Sequence, residues 1–161
     1  MGRILLLTAL LAVLTVPLAL AADTPGDGTL SVKRGRGTVS LKLKGTVIGH
    51  VRSGRFQIRD FRPFDPNDPQ TTCKRIRHNI TTGVYVCKGR NIGFRVADGR
   101  FNVNVSGSGI WISAVGRGPV ALDGAGDLGV PDGQFSIDAA PYQSLPDFLT
   151  TFFLGARPAR P

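Results

Sequence analysis

Apolar and polar residues alternate along short stretches of this chain, and glycine-containing turns separate the stretches. In GRGTVSLKLKG, residues 35–45, the two classes occupy alternate positions: Val39, Leu41 and Leu43 against Ser40, Lys42 and Lys44. Successive strand side chains point to opposite faces, so this pattern predicts a strand with one buried face. Similar patterns occur in residues 29–33, 47–51, 55–61, 110–113, 119–122 and 134–137. Short strands at this spacing predict an all-β fold, an antiparallel sandwich or barrel.

The dipeptide Asp98-Gly99 lies between two further alternating stretches, in NIGFRVADGRFNVNV. Asp and Gly both tolerate the positive φ angles that a type I′ turn requires. Folding the chain at this point pairs Val96 with Phe101 and places the apolar residues of both stretches on one face. We therefore expect a β-hairpin in which the residues on the two sides of this turn pair with each other.

A weak internal similarity appears when the sequence is shifted by 71 positions. It aligns Leu30 with Phe101, Leu41 with Ile112 and Gly45 with Gly116. Alternating patterns also align readily by chance, so a fold with two similar sheet units and a fold without them both remain open.

The first 21 residues have the features of a cleavable signal peptide. Arg3 precedes an apolar run over residues 4–20, and Ala19-Leu20-Ala21 provides a cleavage site. We expect cleavage after Ala21 and an exported protein, secreted or held in the cell envelope. The alternative is an uncleaved segment that anchors the chain in the membrane, because the apolar run is about long enough to span a bilayer.

The rest of the chain is predicted to form one domain with a short segment before it and two after it. Residues 22–28 form a flexible lead-in, and residues 29–143 form the β domain. Residues 144–155 predict a short C-terminal helix, which Ser144 caps and Gly155 ends. Residues 156–161 form a disordered tail.

The chain has two cysteines, Cys73 and Cys87. Exported proteins fold in an oxidising environment, where such a pair forms a disulfide. If residues 79–81 form a hairpin tip, Cys73 lies directly opposite Cys87, within bonding distance. We predict a structural disulfide and no metal site, because two cysteines and one nearby histidine provide too few ligands.

Charge is distributed unevenly along a chain whose formal net charge is +9. Residues 29–62 contain nine basic side chains and one acidic residue, Asp60. Residues 98–147 contain Arg100 and Arg117 against six aspartates. The first part of the domain is therefore basic and the last part acidic.

The basic strands suggest a binding surface. Lys42 and Lys44 share one face of their strand, as Arg55 and Arg59 do on theirs. If the two strands are neighbours, these four side chains form one cationic surface. We interpret it as a contact for an anionic cell-envelope polymer or for lipid headgroups, with a merely solvated face as the alternative. Nucleic acid ranks lower, because aromatic residues that could stack on bases are sparse there.

We expect no catalytic residues and no cofactor. His50 and His78 are the only histidines, and the Gly-x-Ser-x-Gly pattern of a nucleophile elbow is absent. Turn formation accounts for the Asp-Gly pairs of the acidic part. The sequence thus predicts a non-catalytic binding or structural module. Two alternatives remain: a small secreted glycan hydrolase that uses aspartates, and a structural protein that self-associates through its basic and acidic ends.

Overall fold

A computed structural model describes residues 26–63 and 65–155, which form eight strands and no helix. The strands are β1 (Gly28–Asp60), β2 (Gln70–Thr71), β3 (Arg77–Asn79), β4 (Val84–Val96), β5 (Arg100–Gly124), β6 (Gln134–Ile137), β7 (Gln143–Ser144) and β8 (Thr150–Leu154). Their order in the sheet is β2-β4-β1-β5-β8, with β3 on β4, β6 on β1 and β7 on β6. The predicted antiparallel all-β fold is confirmed, as a sheet that does not close. The expected signal peptide and the expected tail, residues 156–161, lie outside the described residues.

Two long strands, β1 and β5, organise the sheet by pairing in two registers. Residues 28–44 of β1 lie antiparallel to residues 100–116 of β5, and residues 37–60 lie antiparallel to residues 101–124. The middle of β1 consequently has a segment of β5 on each side. The segments that the 71-residue shift aligns belong to these two strands, and Gly45 pairs with Gly116. The internal similarity therefore falls on strands of one shared sheet.

A row of five glycines, which we call the longer glycine row, crosses the sheet at adjacent positions of neighbouring strand segments. In order across the sheet they are Gly89, Gly54, Gly107, Gly37 and Gly124. The buried side of the strands changes where they cross this row: Val51 and Phe56 are both buried in β1 although five positions separate them. In an unbroken strand, residues an odd number apart face opposite ways. The sheet therefore turns over at the glycines and encloses a core.

Backbones approach each other closely where two pairs of glycines meet. A Cβ atom on Gly45 would lie 2.1 Å from the Val115 carbonyl oxygen, and one on Gly116 would lie 2.3 Å from the Lys44 carbonyl oxygen. Gly54 and Gly107 form the equivalent pair in the longer row. A Cβ atom on Gly54 would lie 2.1 Å from the Ser106 carbonyl oxygen, and one on Gly107 would lie 2.2 Å from the Ser53 carbonyl oxygen. These distances leave no room for a side chain, so the fold requires glycine at all four positions.

The enclosed core combines alternate residues of the three longest strands. Its largest fully buried side chains include Phe56, Phe101, Leu30, Leu41, Leu43, Ile58, Ile110 and Leu122. Burying a side chain of this size contributes roughly 1.5–3 kcal/mol. The alternation that defines the core also turns the intervening polar residues outward.

The predicted hairpin at Asp98-Gly99 is wrong in its pairing. The turn exists, with φ angles of 52° and 146°, but β4 and β5 lie on opposite sides of β1. Val47, for example, pairs with Val96 on one side and with Ala114 on the other. The second half of β1 lies between the two strands and pairs with both along its length. The predicted buried face is nevertheless correct, because alternation does not depend on the partner.

The predicted C-terminal helix does not form. Residues 150–154 instead pair with residues 118–122 of β5, with Val120 opposite Phe152. Thr150, Thr151, Phe152 and Phe153 all favour strands, and the free edge of β5 provides a partner for their backbone groups. Phe148 and Leu149, which come just before β8, are 83% and 67% exposed.

The predicted disulfide between Cys73 and Cys87 is confirmed, with the two Cα atoms 6.2 Å apart. Its setting differs from the expectation, because Cys73 precedes β3 and is not a strand residue. β3 pairs with β4 so that Arg77 lies opposite Val86. A turn at residues 80–83 connects β3 to β4 and sets this register, with Gly83 at a φ of 61°.

Replacing Gly116 with alanine should lower the free energy of unfolding by about 3 kcal/mol or more, because the added methyl group meets the backbone of β1. Chemical denaturation measures the loss. Gly89→Ala is the matched control: it belongs to the longer row, and its Cβ would meet only a methyl group of Ile92, at 3.3 Å. Equal losses in the two variants would contradict the close approach.

Replacing both Cys73 and Cys87 with serine should lower the free energy of unfolding by about 3 kcal/mol, the chain-entropy value for a loop of this length. The bridge closes a loop with a sequence separation of 14. Denaturation of the original chain with and without reductant should show the same difference. A reductant effect that persists in the double variant would show that another process is responsible.

Candidate functional site

One outer face of the sheet combines cations from distant parts of the chain. Lys42 and Arg59 both pair with Asn102 of β5, from opposite sides, so one β5 segment lies between the two β1 segments. Because adjacent strands are about 4.8 Å apart, Lys42 and Arg59 are roughly 10 Å apart at their Cα atoms. We call this surface the cationic face; it contains Ser40, Lys42, Lys44, Arg55, Gln57, Arg59, Arg100, Asn102 and Asn104.

The four basic residues predicted from sequence all lie on the cationic face. Lys42, Lys44, Arg55 and Arg59 are all exposed. The reason is local: Leu41, Leu43, Phe56 and Ile58 are buried, so their neighbours along the strand must point outward. The predicted strands are not direct neighbours, since residues 100–107 of β5 separate them.

Amide and hydroxyl groups fill the space between the cations. The Asn104 Nδ2 donates to the Ser40 Oγ at 2.9 Å, and the Arg55 guanidinium donates to the Gln57 Oε1 at 3.0 Å. A groove of about 280 Å³ runs between Lys42 and Arg59, with Asn102 and Asn104 in its lining. The face therefore offers a ligand both positive charge and directed hydrogen bonds.

Within residues 26–63 and 65–155, no carboxylate oxygen lies within ion-pair distance of these cations. The ion pairs found there join Arg36 to Asp127, and Arg117 to Asp27 at 2.7 Å. Arg59 packs its guanidinium over the Phe61 ring, 5.1 Å from the centroid, which leaves its charge uncancelled. Clustered like charges of this kind raise the local concentration of anions.

Carboxylates lie beyond one end of the cationic face. A pocket of about 450 Å³ there has Lys44, Arg100, Asp65 and Asp98 in its lining. Asp65 also belongs to a cluster in which side-chain oxygens of Asp60, Asp65 and Asp68 lie within 4.8 Å of one another. Local backbone amides already engage two of these groups, since the Arg62 N–H donates to Asp60 and the Asn67 N–H to Asp65, each at 2.8 Å. We assign no ligand to this cluster, and the sequence prediction of no metal site stays a prediction.

The two histidines occupy separate parts of the sheet. His50 is exposed and pairs with Trp111 of β5. His78 stacks on Tyr85, with ring centroids 3.8 Å apart. The prediction that neither is a catalytic base remains a prediction.

Sequence reasoning missed the part of the cationic face that β5 provides. Arg100, Asn102 and Asn104 alternate with Phe101 and Val103, which does reveal that they share a polar face. Nothing local in the sequence indicates that this segment lies between two parts of β1, because that arrangement depends on the double register.

No protein-family model, curated protein or solved structure matches this chain significantly. Among the described residues there is no helix with the length and apolar character needed to cross a bilayer.

The two tyrosines of the chain should titrate in separate steps. Burial, with smaller contributions from the charges of Asp68 and Asp60, raises the pKa of Tyr85 above 10.0. Hydrogen bonds from Ser31 and Lys33 lower the pKa of Tyr142. An ultraviolet absorbance titration should show an early and a late phase, and Tyr85→Phe should remove only the late one. Loss of the early phase in that variant would reverse the assignment.

Proposed function

We propose that this protein is an exported, non-catalytic binding module that holds an anionic polymer of the cell envelope against the cationic face. The main support is the convergence of Lys42, Arg55 and Arg59 on one exposed face. None of them has an acidic ion-pair partner among the described residues. Folding thus gathers charge that the sequence distributes over two segments of β1.

The spacing of the cations favours a polymer over a small anion. Residues two positions apart on a strand are about 7 Å apart, which applies to Lys42 and Lys44. Lys42 and Arg59 are separated by two strand spacings. A small anion is held by donors that converge on one point, whereas charges spread over a surface suit a ligand that repeats its own charges.

The groups between the cations favour a hydroxylated polymer, such as an acidic glycan, over lipid headgroups. Asn102, Asn104 and Gln57 provide amides, and Ser40 provides a hydroxyl, all of which pair well with sugar hydroxyls and carboxylates. A membrane-binding surface combines its cations with apolar side chains that enter the interface. The groove between Lys42 and Arg59 is lined mainly by polar residues.

Export is supported by two features. The N-terminal 21 residues have the charge, apolar run and small-residue site of a signal peptide. The Cys73–Cys87 disulfide is of a kind that persists mainly outside the cytosol. Both agree with a partner in the cell envelope.

Head-to-tail self-association through basic and acidic ends has weaker support. Asp127 pairs with Arg36, and Asp27 pairs with Arg117, within the same chain. Part of the acidic charge is therefore already used internally and is less available to a second copy.

Reversing the charge at Lys42, Arg55 and Arg59 by substitution with glutamate should greatly weaken retention on immobilised polygalacturonate and heparin. The variant should elute at much lower salt, because each change removes an attraction and adds a repulsion. The salt concentration at elution is the measurement, with anionic vesicles and DNA as further supports.

The matched control reverses Lys74, Arg75 and Arg77, which are exposed and lie near the disulfide. It also changes one lysine and two arginines, so the net charge falls equally. Equal loss of retention in both variants would show that binding follows total charge, and would contradict a site on the cationic face. Stronger retention on vesicles than on the glycans would assign the face to lipid headgroups instead.

A further inference from the structure

A second concave surface crosses the sheet on the other side of the longer glycine row. It consists of three adjoining depressions of about 400, 230 and 500 Å³. The first two share Ile48 and Gly49 in their linings, and the last two share Ser31 and Ser113. We call the continuous surface the aromatic groove; its lining includes Thr72, Arg95, Ile48, His50, Trp111, Lys33, Ser31, Ser113 and Tyr142.

The groove runs across the strands. Arg95 of β4 pairs with Ile48, Ile48 with Ser113 of β5, and Ser113 with Ser31 of β1. Ser31 in turn pairs with Ser136 of β6. Five strand segments at about 4.8 Å spacing give the groove a length of roughly 19 Å. This length suits an extended ligand of several units.

An exposed indole lies near the middle of the groove. Trp111, the only tryptophan of the chain, is 45% exposed, while its neighbours Ile110 and Ile112 are buried. Ile48, on the adjacent segment of β1, is 52% exposed. Large apolar side chains grouped on a surface commonly mark a binding site.

Polar side chains beside Trp111 are held in position by one another. The Tyr142 hydroxyl and the Ser31 Oγ are 2.8 Å apart and share a hydrogen bond. The Lys33 Nζ lies 4.0 Å from the centroid of the Tyr142 ring, in the range of a cation–π contact. Groups fixed in this way lose less side-chain entropy when a ligand binds.

The charged side chains that line the groove are basic. Of the described residues that line the three depressions, none is acidic, whereas Lys33 and Arg95 are basic. The remaining polar groups include the hydroxyls of Ser31, Ser113 and Thr72. An anionic, hydroxylated ligand with a flat apolar face complements this combination.

We propose that the aromatic groove binds a linear acidic glycan, with one pyranose ring lying on Trp111 and its carboxylate directed toward Lys33. The C–H bonds on the face of a sugar ring carry slight positive charge, which matches the negative face of an indole. The serine and threonine hydroxyls pair with the sugar hydroxyls on either side. The aromatic groove shares no residue with the cationic face, so binding at the groove can be tested independently of the proposed function.

A titration followed by the fluorescence of Trp111 tests this directly, because the emission of the chain has a single tryptophan source. Oligogalacturonate should shift the emission saturably, whereas a cello-oligosaccharide of equal length, which lacks carboxylates, should bind at least tenfold more weakly. Lys33→Gln should remove that preference, and Lys74→Gln, at an exposed site outside the groove, should preserve it. Calorimetry should show at least a tenfold loss of oligogalacturonate affinity in Trp111→Ala and a smaller loss in Trp111→Phe.

The charge-reversed variant of the cationic face separates the two proposals, since it should keep the fluorescence response even if it loses retention on polymers. An unchanged emission at saturating oligogalacturonate would overturn the proposal, as would tighter binding of oligothymidylate, which would point to stacking on bases. Because Trp111 is exposed, its variants should keep the unfolding midpoint of the original chain. If Trp111→Ala unfolds, the response of the Lys33→Gln variant alone decides.

Discussion

The contact between glycine backbones, at Gly45–Gly116 and at Gly54–Gly107, is the constraint on which the structure depends. At these points the carbonyl oxygens of one strand occupy the space that a side chain of the other would need. The close approach lets two long strands turn over together, so that each buries alternate residues on both sides of the turn. A side chain at any of these four positions would push the two strands apart at the point where the buried side changes.

The turned sheet also determines the two surfaces. Residues that alternate with the core before and after the longer glycine row face outward on different sides, and their compositions differ. One side carries lysines, arginines and amides. The other carries the Trp111 indole, hydroxyl groups, and Lys33 in contact with the Tyr142 ring. Both surfaces suit anionic ligands. No acidic residue is among the described residues that line the aromatic groove, and the ion pairs of the described residues do not involve the cationic face.

Period-two alternation was sufficient to predict the strand class, the buried residues and the outward direction of Lys42 and Arg59, because it depends only on local geometry. The pairing of strands was not predictable in this way. The turn at Asp98-Gly99 suggested a local hairpin, but the second half of β1 lies between the two strands and pairs with both. Thr150–Phe153 likewise followed strand propensity and a free sheet edge, not the helix signals around it. Asn102 and Trp111 became site residues only once the double register placed them between other strands.

Chemical-shift mapping of the isotope-labelled protein with oligogalacturonate would test the account most directly, since it reports each residue's response at once. We expect two separate sets of perturbed amides, one around Lys42, Asn102 and Arg59, and the other around Lys33 and Trp111. Perturbations distributed over all exposed basic residues, including Arg75 and Arg90, would contradict the account, because the ligand would then respond to net charge and not to either surface.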